Sequence, residues 1–125
     1  MDVQYYINSE NLGKINKLIF SYKKMIDKFS NIKEMISYSK GGILSKELIR
    51  NENSNVTLFC MAKGTEISEH TAKKRGFVYV IEGRGIFNLE GEKIVMERGV
   101  FIKLEKEAVH SLKAEEDTSF LLVLS

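Results

Sequence analysis

Proline is absent from the 125 residues, and cysteine occurs once, at Cys60. Without proline no turn has its φ preset by a pyrrolidine ring, so the chain must reverse direction at Gly, Asn and Asp. A single thiol forms no internal disulfide, and the N-terminus lacks a short apolar run ahead of small residues, so the sequence reads as a protein of the reducing cytoplasm. No stretch approaches the roughly 18 consecutive apolar residues that suggest a membrane-spanning helix, so no membrane partner is expected. Net charge is also scarce: 19 Lys and Arg against 17 Asp and Glu leave +2. Residues 1–40 hold seven lysines and four acids, whereas residues 41–125 hold twelve basic and thirteen acidic residues. An excess that small makes no phosphate-binding face, and nucleic acid is not expected as a partner.

What is present suits one soluble domain. Hydrophobic residues make up 43% and charged residues 29% of the chain, values ordinary for globular proteins. A chain of this length buries about two-thirds of its unfolded surface, enough for a core without a disulfide or metal staple.

Leu12, Ile15, Ile19, Tyr22, Ile26 and Phe29 recur at helical spacing, with Lys14, Lys17, Lys24 and Lys28 on the opposite face. That stripe predicts an amphipathic helix capped by Ser9 and ending between Asp27 and Asn31. Asn31 and Glu34 stand at capping-box spacing and predict a second, short helix to about Tyr38, stopped by Gly41 and Gly42. Residues 1–40 therefore read as a helical extension.

Residues 41–125 read differently. Strand-like runs lie at residues 43–49, 56–62, 77–82, 85–89, 93–96, 100–104, 108–113 and 119–124, and the weaker pattern near 66–71 makes the count eight or nine. Short strands about ten residues apart, with no helix-length segment between them, predict an antiparallel sandwich or barrel rather than a βαβ sheet. Residues 89–92 look like a hairpin turning at Glu90 and Gly91. The runs 56–61 and 120–124 are apolar on both faces, so a cover is expected on their outer side, from the N-terminal helix or a second copy of the barrel.

Two separated runs carry the candidate site. Gly64, His70 and Gly83 fall at the spacing of G-x5-H-x-H-x3-4-E-x6-G, and Gly99 and His110 at that of G-x5-P-x-G-x2-H-x3-N. These are the two motifs of the cupins, small jelly-roll β-barrels, and the chain resembles that family from about Ser45 to Leu124. The resemblance implies a mainly β fold, a cupin-type jelly-roll antiparallel β-barrel over 41–125, with His70 and His110 brought together inside it. In the family three histidines and a glutamate hold a divalent metal. Here Ala72 and Gly76 stand at two ligand positions, and Glu105, Glu107 and Ala114 replace the proline, glycine and asparagine of the second motif.

Two imidazoles hold a metal loosely, since transition metals generally take three or four protein donors. A third donor is available from Cys60, Glu66 or Glu69 if the register turns one inward, although Glu69 adjoins His70 and should face the other way. Cys60 shares a strand face with Val56 and Leu58 and reads as a buried apolar thiol.

The Lys73-Lys74-Arg75 run reads as solvated loop charge at the barrel's edge, able to draw an anionic ligand to its mouth. Tyr79, between Val78 and Val80, should face away from the histidines or into a subunit contact. Gly83-Arg84-Gly85 reads as a turn and not a phosphate loop, because no helix follows it.

The sequence supports a small-molecule binding module in which His70 and His110 orient a small polar ligand in a mostly apolar pocket. A divalent transition metal (Zn, Fe, Mn or Ni) held by His70 and His110 is an optional occupant that the resemblance implies. A metal-dependent enzyme of the dioxygenase or isomerase kind is the alternative. The doubly apolar strands point to a homodimer, compatible with either.

Overall fold

Glycine and polar turns punctuate the chain into short strands. The computed structural model describes residues 19–23 and 28–125. Among them the elements are β1 (Ile19–Lys23), α1 (Ile32–Met35), β2 (Ile43–Arg50), β3 (Asn55–Met61), β4 (Glu66–His70), β5 (Gly76–Glu82), β6 (Arg84–Leu89), β7 (Glu92–Glu97), β8 (Phe101–Leu104), β9 (His110–Ala114) and β10 (Thr118–Leu124). One sheet has the order β1-β2-β3-β10-β5-β8 and the other β4-β9-β6-β7. From β3 onward the chain crosses between sheets at every step except β6 to β7. This is the mainly β jelly-roll barrel expected from the sequence.

The β6–β7 hairpin turns at Glu90 and Gly91, with φ of 49° and 84°, and places Leu89 opposite Glu92. Two successive positive φ values twist the turn in the sense the flanking strands need.

Period-two alternation builds the core. Val78 and Val80 are buried whereas Tyr79 between them is 41% exposed, so Tyr79 faces away from the interior as predicted. Phe59, Val80 and Phe120 from the larger sheet meet Ile67, Phe87 and Met96 from the smaller. Phe59 and Phe120 stack with centroids 5.1 Å apart.

β3 and β10 are buried on their outer face too. There Leu58, Cys60 and Leu121 are covered by Ile32, Met35, Ile36 and Tyr38. Two polar clasps fasten this cover to the sheet: the Tyr38 hydroxyl donates to Glu82 Oε2 at 2.8 Å, and Lys46 Nζ donates to the Met35 carbonyl. Among the described residues the cover is thus the segment after residue 31, where the sequence had offered the N-terminal helix or a second copy of the barrel.

That longer helix is corrected where it can be seen. Ile19–Lys23 is a strand, paired in parallel with Ile43–Glu47. The free edge of β2 presents unpaired backbone groups, and the β-branched and aromatic residues of IFSYK suit a strand at that edge. Phe29, the last member of the stripe, is 90% exposed. Leu12, Ile15 and Ile26, with the predicted cap Ser9, lie outside the described residues.

The second helix forms but is only four residues long, with the Asn31 side chain accepting from the Lys33 amide at 3.0 Å. It ends at Ile36, whose extended backbone carries Ile36 and Tyr38 along the sheet into the outer cluster. Among the described residues no helix is long and apolar enough to cross a membrane.

Candidate functional site

The two histidines meet because of a local irregularity. In the β4–β9 pair Ile67 faces Leu112 and His70 faces His110, so three steps along β4 match two along β9. One extra residue on β4 is a bulge, and it reverses the alternation. Regular pleating would put Ile67 and His70 on opposite faces. With the bulge both line one cavity, alongside Leu112 and His110. Glu69, within the bulge, is exposed.

The rings of His70 and His110 lie 4.1 Å apart between centroids, inclined by 58°. His110 also stacks on Phe87, at 5.6 Å and nearly parallel. Each ring is tied to its own strand in the same way: Nδ1 of His70 bonds the Ser68 carbonyl at 3.0 Å, and Nδ1 of His110 bonds the Ala108 carbonyl at 2.9 Å. A carbonyl oxygen only accepts, so each Nδ1 carries the proton and each neutral ring keeps its lone pair on Nε2.

Burial lowers the pKa of both histidines below the ordinary imidazole value. Their carbonyl partners oppose this, and for His110 the charge His70 would carry adds to the lowering. Both rings are therefore held neutral near pH 7. The cavity they share has a volume of about 20 Å³, with Phe59, Ile67, Phe87 and Phe120 among its walls. That is room for one water-sized group, which needs ~10–15 Å³ on this measure.

Among the described residues no third metal donor joins them. Among the described residues no three of His, Cys, Asp and Glu cluster as a metal site. Cys60 sits in the outer cluster on the far side of the sheet, its thiol pKa raised chiefly by burial. Glu66 pairs with Lys113 at 3.6 Å and lies one residue out of phase with Ile67. The position of the family glutamate, Gly76, is closed by backbone: a Cβ there would overlap the Val123 carbonyl. The residues present do not fit the four-ligand metal centre that the resemblance implied.

Lys73, Lys74 and Arg75 are exposed, and Lys74 Nζ donates to the Glu52 carbonyl at 3.2 Å. Sequence reasoning missed Phe87 as the plate beneath His110. Its inward phase within β6 was the available signal, but nothing local paired it with a histidine 23 residues on.

A family model described as "Cupin domain" matches residues 57–125. The chain belongs to the cupins. An uncharacterized protein of Aquifex aeolicus (strain VF5) is 29% identical over 109 residues, covering 86% of this chain and 87% of that one. Among solved structures, a cupin 2 conserved barrel domain protein from Leptotrichia buccalis superposes with a TM-score of 0.72 at 29% identity, over 76% of this cupin and 46% of that longer chain. A conserved protein of unknown function from Streptococcus pyogenes superposes with a TM-score of 0.71 at 24% identity, over 78% of this cupin and 85% of that chain. These likenesses carry the fold and the family. They name no reaction, and a cupin barrel by itself implies none.

Proposed function

We propose that this cupin is a binding module for a small polar molecule, held in the barrel by His70 and His110. The observation that carries the reading is the pair of neutral imidazoles, rings 4.1 Å apart, each with Nδ1 spent on a carbonyl and Nε2 left as an acceptor. Two such acceptors in an apolar wall select a group that donates hydrogen bonds, such as an amide N–H or a hydroxyl. A cavity of about 20 Å³ takes the polar head of such a molecule and not a large metabolite. Metal catalysis has no support from a donor set of two, and no step is assigned to a metal.

Histidine-selective nitrogen NMR tests this. Acetamide and small diols, added to the wild type, should shift the Nε2 resonances of both rings and leave the Nδ1 resonances nearly in place. His110→Ala should abolish the response at His70. Unmoved resonances throughout the series, or an unaltered response in the variant, would refute the binding role.

We also propose a homodimer. Phe101, 60% exposed on β8 at the edge of the larger sheet, stacks on Phe77 at 4.8 Å and presents an apolar ledge. Sedimentation at micromolar concentration should show a dimer that Phe101→Glu separates. A wild-type monomer removes the idea.

A further inference from the structure

Among the described residues a ligand-sized hollow lies outside the barrel cavity. On the outer face of the six-stranded sheet, beside α1, lies a groove of about 640 Å³. Sites for small organic ligands run to roughly 300–1,000 Å³, so the groove is within that range and the histidine cavity far below it.

Its construction follows from the same alternation that makes the core. Val78, Val80 and Leu122 point inward, so Tyr79, Ile81 and Leu121 point outward and form the groove's apolar floor. Ile32 of α1 adds a wall. Two cations complete the lining, Lys33 from α1 and Arg98 from the turn between β7 and β8. Both are exposed, and neither forms an ion pair among the described residues. The one acid, Glu82, is already engaged, its Oε2 accepting from the Tyr38 hydroxyl at 2.8 Å. Beside it the wholly buried Ser119, the cross-strand partner of Glu82, sets its hydroxyl against the Tyr38 hydroxyl. An apolar floor with two cations in its lining, neither in an ion pair among the described residues, suits a negative head on an apolar body.

We propose that this groove binds an organic carboxylate with an aliphatic or aromatic body, the body lying on Tyr79, Ile81 and Leu121 and the carboxylate paired by Arg98 and Lys33. The site is separate from the histidine cavity. β10 divides the two, turning Leu122 to one and Leu121 to the other.

Octanoate is the probe, titrated into the full chain and followed by calorimetry and by methyl NMR of Ile81 and Leu121. Saturable binding in the micromolar to millimolar range is expected, with shifts at both methyl groups. Arg98→Gln, at an exposed position that leaves the fold intact, should weaken it by about tenfold, the value of one charge-assisted contact. Octanamide, which keeps the body and loses the charge, should bind more weakly by a similar factor. His110→Ala should bind octanoate as the wild type does, so failure of the histidine reading leaves this outcome unchanged. Unshifted Ile81 and Leu121 resonances, or equal affinity in Arg98→Gln, overturn the proposal. Sedimentation then tells whether a second copy or the chain's own N-terminal residues fill the groove.

Discussion

Gly76 packs directly against the backbone of Val123, so closely that a side chain at position 76 would occupy the space of the Val123 carbonyl. Gly76 pairs with Leu124 on β10, and the contact is backbone on backbone with no flexible end to yield. Gly76→Glu, which writes the family's glutamate back into the motif, should therefore cost at least about 3 kcal/mol through overpacking and displaced strands. Chemical denaturation checks this. A variant as stable as the wild type would mean that the β5–β10 contact is looser than described.

The histidine pair sets a pH dependence of stability. Burial lowers both imidazole pKa values in the folded state, so between the folded and unfolded values the unfolded chain binds more protons. The stabilisation is complete above the ordinary imidazole value of about 6.5 and declines as pH falls below it. Melting temperature measured from pH 7.5 downward should fall in that range, and the double variant His70→Gln with His110→Gln should show a flatter curve. Parallel curves for the two proteins would assign the loss to other groups.

Glu107 occupies the second motif's glycine position and holds a positive φ of 65°. A left-handed backbone costs a residue with a Cβ roughly 1–2 kcal/mol, a penalty glycine escapes. Glycine's greater freedom in the unfolded chain returns part of that. Glu107→Gly should raise stability by about 1 kcal/mol, seen as a melting temperature a few degrees higher. A lower one would show that the Glu107 side chain makes a contact worth more than the strain.

Two imidazoles and no clustered third donor among the described residues make a weak transition-metal site. Protein prepared without chelator should carry well under one metal per chain by elemental analysis. His110→Ala should carry the same trace. Stoichiometric metal lost in the variant would restore a metal centre completed from beyond the described residues.

Much of the barrel was legible because strands announce themselves locally. Alternation, both-sided apolar runs and glycine turns placed the nine strands from β2 to β10 close to where they lie, and Glu90-Gly91 marked the hairpin. The resemblance to the cupin motifs, carried by Gly64, His70, Gly83, Gly99 and His110, implied that two distant histidines share one site. The stripe from Leu12 to Phe29 misled at Ile19–Lys23, because helical periodicity records which side chains could share a face and not which sheet edge stands waiting. Cys60 was ambiguous for a related reason: β3 is buried on both faces, so apolar character cannot tell inside from outside.

Residue order thus determined eight of the strands from β2 onward and the turns, which are written in local pattern, and through the family resemblance it singled out the two imidazoles. Only the tertiary structure decided that His70 faces inward despite its phase with Ile67, that Gly76 admits no ligand, and that the larger hollow lies outside the barrel. Each of those depends on which backbone runs alongside, and a chain read one residue at a time carries no record of its neighbours in space.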